Sequence, residues 1–230
     1  MYTLYKGNCK DINISNRINV LLTDPPFEVS NQRNIHNTFN GYSSDKGEWD
    51  VELPASEWVP KYCDLLTPGG IFICFGIFGS LVPIYQELVG YGMTFQSHIV
   101  WHKTNPAPSV HRRMYTHANE IILVFSKGTK WTFNYDATKE LNGNKQQHNV
   151  MEFAVAKKVL GRNQKPKGLV TKLVTAFSNP GDVILDPFCG VGSLLWPAVE
   201  LGRNAIGIEE NQECIEYLKS RGANENLSKG

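Results

Sequence analysis

The 230-residue chain has no cysteine pair at C-x-x-C spacing and no apolar run of membrane-spanning length. Its five cysteines (Cys9, Cys63, Cys74, Cys189, Cys214) are odd in number and scattered, which argues against a disulfide framework or a zinc site. No charged-then-apolar leader follows Met1. These absences point to a cytoplasmic protein with reduced thiols, no metal and no membrane partner. Net charge is nearly absent too, +1 from 23 basic and 22 acidic residues. The balance hides an asymmetry, because 13 of the basic but only 4 of the acidic residues lie between Trp101 and Lys172. A near-neutral chain with one strongly basic third suits an enzyme with a polyanionic substrate; a solvated helical face is the plainer alternative.

Short apolar runs alternate with helical patterns. "MYTLYKG", "INVLLTD", "GGIFICFG", "SHIVWHK", "NEIILVFS", "DVILD" and "NAIGIE" read as strands covered on both faces. "ASEWVPKYCDLL", with Ser56 as its cap, "SLVPIYQELVGYG", "KGLVTKLVTAFS", "SLLWPAVELG" and "NQECIEYLKS" read as helices, although Pro60, Pro83 and Pro197 threaten their interiors. The alternation predicts an α/β, doubly wound, mostly parallel sheet. "TKELNGNKQQHNV" reads as a polar loop and "RGANENLSKG" as a frayed tail.

Two stretches carry chemistry. In "DVILDPFCGVGSLLWPAVELGRNAIGIEEN", Gly190 and Gly192 follow a strand and Glu209 ends the next one. Small residues there let the backbone approach a nucleotide-like ligand, and the carboxylate accepts from ribose hydroxyls. A dinucleotide fingerprint needs a third glycine where Leu195 stands, so the turn suits S-adenosylmethionine better than NAD; an ordinary βα turn is the alternative. The second stretch is "NVLLTDPPFEVSN". Asp24, Pro25, Pro26 and Phe27 fall just past a strand's carboxyl end, where open α/β sheets bind ligands. An aromatic amine needs two acceptors for its two hydrogens. The Asp24 carboxylate and the Pro25 carbonyl can supply them, with Phe27 stacking on the base. A rigid Asp-Pro turn is the alternative here.

With "DPPF" preceding "DPFCGVGS", the chain resembles the β-class DNA amino-methyltransferases. Trp49-Asp50, "LLTPGGIFICFG", "IVWHKTNPAPS", "THANEIILVFSKG" and "NQKPKGLVTKLVTAFSNPGD" extend the match over most of the chain. The resemblance implies methyl transfer from S-adenosylmethionine to the N6 amine of a flipped adenine in DNA, on a circularly permuted seven-stranded sheet with one antiparallel strand, which "MYTLYKG" completes. It makes Asp24, Pro25, Pro26 and Phe27 the catalytic cradle. It places Asp186, Phe188, Gly190 and Gly192 along the cofactor, Glu209 and its neighbour Glu210 at the ribose, and Lys165 at the methionine end. Asn8, beside Cys9, stands where the family carries Asp against the cofactor's adenine.

The same resemblance assigns residues 1–126 and 161–221 to the methyltransferase domain, 127–160 to a short target-recognition insert and 222–230 to a flexible tail. It implies a short or relaxed target site. His111, Arg112, Arg113, Lys127, Lys130, Lys139 and Lys145 are the candidates for contacting DNA, with Trp131, Phe133 and Tyr135 either stacking or packing as a strand face. The loop from Glu28 to Glu48 would close on the base. N4-cytosine transfer, an RNA or protein substrate, a catalytically silent DNA-binding subunit and NAD-dependent redox chemistry stay open, as do a homodimer and a partner restriction endonuclease in a bacterial or phage-infected cell.

Overall fold

The computed structural model describes residues 1–26, 53–109 and 112–226; Phe27, Trp49, Asp50, His111 and the Glu28–Glu48 loop lie outside the described residues. Nine strands form, β1 (Tyr2–Lys6), β2 (Ile18–Thr23), β3 (Leu66–Gly76), β4 (Thr94–Lys103), β5 (Asn119–Ser126), β6 (Val150–Phe153), β7 (Val183–Asp186), β8 (Asn204–Glu209) and β9 (Asn224–Glu225). All belong to one sheet in the order β6-β4-β5-β3-β2-β7-β8-β1-β9. Only β5 runs antiparallel to its neighbours. The N-terminal β1 lies beside β8, so the chain's start completes the sheet next to its last long strand, as the permuted pattern requires.

The seven expected strands are therefore present, and β6 and β9 extend the two edges. Both are short for a periodic signal to reveal. They form where a sheet edge offers unpaired N–H and C=O groups. β6 lies beyond the polar stretch read as a loop, whose beginning is helical instead. β9 falls in the stretch read as a frayed tail and pairs with Thr3 and Leu4.

Among the described residues six helices cover the sheet, α1 (Ala55–Leu65), α2 (Phe78–Tyr91), α3 (Tyr135–Leu141), α4 (Lys167–Phe177), α5 (Trp196–Glu200) and α6 (Gln212–Ser220). Alternate strand residues serve opposite cores. Val20, Leu22, Ile71, Ile73 and Phe75 pack with Leu169, Leu173 and Leu218 of α4 and α6. Leu21, Phe72 and Cys74 pack with Trp58, Tyr62, Leu81 and Leu88 of α1 and α2. Each fully buried side chain of this size contributes roughly 1.5–3 kcal/mol, which is why the strands read as unbroken apolar runs.

Helix ends show where sequence signals compete. Helix α1 starts one residue before the expected cap: Pro54 occupies the cap position, Ser56 is already helical, and no side chain caps the end. Pro60 and Pro83 remain inside α1 and α2. Pro197 sits in the first turn of the short α5, where its missing N–H is not needed.

Strands β2 and β7 are neighbours at the sheet's centre. The chain leaves β2 towards β3 on one side and β7 towards β8 on the other. Their carboxyl ends therefore frame the crevice at the topological switch point, where doubly wound sheets bind ligands.

Candidate active site

That crevice brings together motifs far apart in sequence. Thr23, the last residue of β2, donates through Oγ1 to Asp186 Oδ1 at 2.8 Å. Both residues are buried, Asp186 at 1% exposure. Asp186 Oδ1 also accepts from the Phe188 N–H at 3.0 Å. Burial pushes the Asp186 pKa up to about 7, against the opposing pull of the Phe188 N–H and Thr23. Asp186, which the resemblance places along the cofactor, is thus buried and braces the turn through Thr23 and the Phe188 N–H. Phe188 is half-buried and meets the Trp58 ring edge-on at 5.2 Å.

The glycine turn follows. Gly190 (φ +52) has nothing within 4 Å of where a Cβ would stand, so its backbone faces open space. At Gly192 (φ +80) a Cβ would come within 2.8 Å of Trp196 Nε1 and 2.9 Å of Leu218 Cδ2. One glycine therefore opens the turn outward, and the other lets it pack against α5 and α6. Glu209 Oε2 accepts from the Gly190 N–H at 2.8 Å, and Oε1 accepts from the Asn211 N–H at 2.8 Å. Burial raises the Glu209 pKa, while those N–H groups and the charge of Arg162 oppose the rise. Each Glu209 oxygen keeps a lone pair for a hydroxyl. Asn8 donates to Glu210 Oε2 at 3.0 Å, and its own oxygen accepts from the Lys10 N–H at 3.0 Å. That local turn engages one lone pair of the amide oxygen that the sequence offers to a cofactor's adenine, and the other remains. Cys9 is buried, and its carbonyl accepts from Lys61 Nζ and Tyr62 Oη, so it anchors the Asn8 loop from below.

On the β2 side, Asp24 Oδ2 lies 2.7 Å from Lys165 Nζ. Asp24 Oδ1 is shielded from solvent and has no hydrogen-bond partner among the described residues. Burial raises the Asp24 pKa, and the Lys165 charge opposes it. The Lys165 ammonium also pairs with Glu120 at 2.9 Å, so two carboxylates hold the residue that the resemblance places at the cofactor's methionine end. Beside Pro25 and Pro26 opens a cleft walled by Trp58, Pro83 and Ile84.

The basic candidates divide. Exposed Arg112 and Arg113 lie in the connection from β4 to β5, at the same end of the sheet as Asp24. Lys127 and Lys130 follow β5, which runs away from that end. Their backbone packs on Gly69 and Gly70, roughly 20 Å from the Asp24 end at the usual rise per strand residue. Lys127 Nζ donates to the carbonyls of Cys63 and Leu66 at 2.8 and 3.0 Å, so it caps the C-terminus of α1 and not a phosphate. Lys145 is exposed in the turn ahead of β6. Trp131 and Phe133 belong to no strand, and Tyr135 opens α3; all three rings are exposed.

Sequence inspection overlooked three features. Glu120 is a lone acid opening an apolar strand. Thr23 is a polar residue closing another. Lys157, Lys158 and Arg162 lie in the segment that returns from β6 across the sheet's upper end to α4. Their signal was present in "AKKVLGR", within the basic third. All five cysteines are buried and unpaired. Among the described residues, no cluster of His, Cys, Asp or Glu is placed to hold a metal ion, and no helix is long and apolar enough to cross a membrane.

A doubly wound sheet with an open glycine turn on its central strand, an acidic residue ending the next, and Asp-Pro-Pro on the neighbouring strand defines an S-adenosylmethionine-dependent methyltransferase. The open space over Gly190 and the remaining acceptors of Glu209 fit that cofactor. Comparison narrows the class. The DNA methylase family (N6_N4_Mtase) matches residues 18–220, and the chain belongs to it. The chain is 33% identical over 237 residues to Type II methyltransferase M2.MboI of Moraxella bovis, covering 96% of this chain and 87% of that protein. It is 33% identical over 219 residues to Type II methyltransferase M2.DpnII of Streptococcus pneumoniae, covering 89% and 82%. The crystal structure of the M1.HpyAVI–SAM complex superposes with a TM-score of 0.75 at 25% identity, covering 96% of this chain and all of that one. The protein is a DNA methyltransferase that uses S-adenosylmethionine.

Proposed function

We propose that this enzyme methylates the N6 amine of an adenine turned out of duplex DNA. The observation that carries the proposal is Asp24 Oδ1, a shielded acceptor without a partner among the described residues, beside a cation that holds its twin. Leaving such an atom unpaired costs about 1–3 kcal/mol, and a substrate N–H relieves that cost. The Pro25 carbonyl is the second acceptor, next to a proline that supplies no competing N–H. Two such bonds draw the amine lone pair out of the ring and orient it. S-adenosylmethionine supplies the activated sulfonium methyl when bound in the Gly190–Glu209 turn. Asp24 then takes the proton that the methylated amine releases. The protein's contribution is alignment and charge placement.

Turning the base out costs a few kcal/mol. Arg112 and Arg113 from one side, with Lys157 and Lys158 from the other, offset that cost through phosphate contacts. These two segments take the place of Lys127 and Lys130 in the DNA-facing surface, and so displace the front of the 127–160 window from target recognition. Asp at position 24, where cytosine enzymes of the resembled family often carry Ser, favours adenine over N4-cytosine. The reading also carries a cytoplasmic setting in a bacterial or phage-infected cell, with a homodimer and a cognate restriction endonuclease as its companions.

DNA from a methylation-deficient host expressing the wild type or Asp24→Ala, hydrolysed to nucleosides and analysed by mass spectrometry, tests this directly. N6-methyladenine from the wild type alone is expected, with cofactor binding retained in the variant. N4-methylcytosine overturns the choice of base, and normal turnover by the variant overturns the role of Asp24.

A further inference from the structure

Asp24 is the end of a line of charges. Lys165 Nζ lies 2.7 Å from Asp24 Oδ2 and 2.9 Å from Glu120 Oε2, and Glu120 Oε1 lies 2.8 Å from Lys103 Nζ. Four groups of alternating sign come from the end of β2, the approach to α4, the start of β5 and the end of β4. The line is neutral overall. Its middle is enclosed, with the Lys165 and Glu120 side chains 7% and 14% exposed, while Lys103 and Asp24 at its ends are 21% and 29% exposed. The Phe75 and Trp101 rings face the Lys165 ammonium at 5.3 and 5.9 Å. Lysine and glutamate are rarely so enclosed unless paired, and a chain of pairs fixes both geometry and charge.

We propose that Lys165 and Glu120 are positioning residues for Asp24. Lys165 holds the carboxylate by Oδ2 so that Oδ1 meets the substrate amine, and Glu120 moderates the pull of Lys165 so that Asp24 remains ionised yet basic. The inference rests on Asp24 being the amine's acceptor. A carboxylate with one oxygen shielded binds a proton more readily if its cation is removed, and protonation weakens it as an acceptor for an N–H. With Glu120 gone, Lys165 acts on Asp24 alone and makes it a weaker base. The two partners therefore push the Asp24 proton equilibrium in opposite directions. Other titratable or charged groups facing Asp24 are Lys103 on β4, Asp186 on β7 and Cys74 on β3. All three are unchanged in both variants, so none of them can produce shifts of opposite sign.

The test is the pH profile of kcat/KM for DNA between about pH 5 and 9, measured on wild type, Lys165→Met and Glu120→Gln after confirming cofactor affinity and folding. In Lys165→Met the acid limb is expected to move up by about one unit or more, and in Glu120→Gln to move down. A folded, cofactor-binding variant whose limb stays at the wild-type position, or two limbs moving the same way, overturns the proposal. A purely structural role lowers the whole profile without displacing the limb. If Lys165→Met does not fold, Glu120→Gln decides alone, by a downward shift for the proposal and no shift or an upward one against it. Failure of the underlying reading looks different, since Asp24→Ala would then keep wild-type turnover.

Discussion

Thr23→Val replaces one hydroxyl by a methyl group, and it cuts a buried side-chain bond between the Asp-Pro-Pro strand and the glycine-turn strand. Thr23 is fully buried and donates to Asp186 at 2.8 Å. Burial pushes the Asp186 pKa up to about 7, so at pH 8 its ionised form is favoured over the neutral one by on the order of 1 kcal/mol. A hydrogen bond to a charged group is worth roughly 1.5–3 kcal/mol. Losing it drives Asp186 to protonate, which caps the ionic part of the loss at on the order of 1 kcal/mol. A neutral hydrogen bond adds roughly 0.5–1 kcal/mol. The expected destabilisation is therefore roughly 2 kcal/mol at pH 8. At pH 5 Asp186 is already neutral in both proteins, and only about 0.5–1 kcal/mol remains.

The sign follows from linkage. A carboxyl whose folded pKa lies above its unfolded value contributes stability at low pH and loses it as pH rises from about 4 towards 7. The substitution extends that loss to higher pH. Urea unfolding of both proteins at pH 5 and pH 8, followed by tryptophan fluorescence, measures it. Equal destabilisation at the two pH values, or less than about 0.5 kcal/mol at pH 8, would refute the argument that the Thr23–Asp186 bond couples the motifs through a buried charge.

Glu209→Ala should weaken S-adenosylmethionine binding by roughly tenfold to a hundredfold, because both the Gly190 and Asn211 N–H groups lose a charged acceptor. Calorimetric titration with the cofactor measures this, and an unchanged Kd counts against the turn as the binding site. Lys127→Met should cost about 1–2 kcal/mol of stability through the uncapped carbonyls of α1 while leaving DNA affinity unchanged. A DNA-binding defect without a stability loss would return Lys127 to the nucleic-acid surface.

Much of this molecule is legible in its sequence because the central strands are covered on both faces. "INVLLTD", "GGIFICFG" and "NEIILVFS" announce themselves as apolar runs, and β2, β3 and β5 contain them almost residue for residue. The short motifs are legible for a different reason: Asp-Pro-Pro and Gly-x-Gly need particular residues in particular order, whatever surrounds them. The edge strands are not legible, since β6 and β9 exist only because another strand offers them a partner. Lys127 could not be placed either. Its composition suits a phosphate, but β5 runs antiparallel and carries it to the far end of the sheet.

The linear chain by itself determined the fold class, the two reactive motifs and the identity of the cofactor turn, because these rest on periodicity and on backbone requirements that act within a few residues. Tertiary structure alone decided who faces whom. It set Thr23 against Asp186 across 163 residues, and it placed Lys165 between Asp24 and Glu120. Charge pairing inside a low-dielectric crevice depends on distances of a few ångströms between distant segments, and a sequence holds no record of those distances until the strands have taken their order in the sheet.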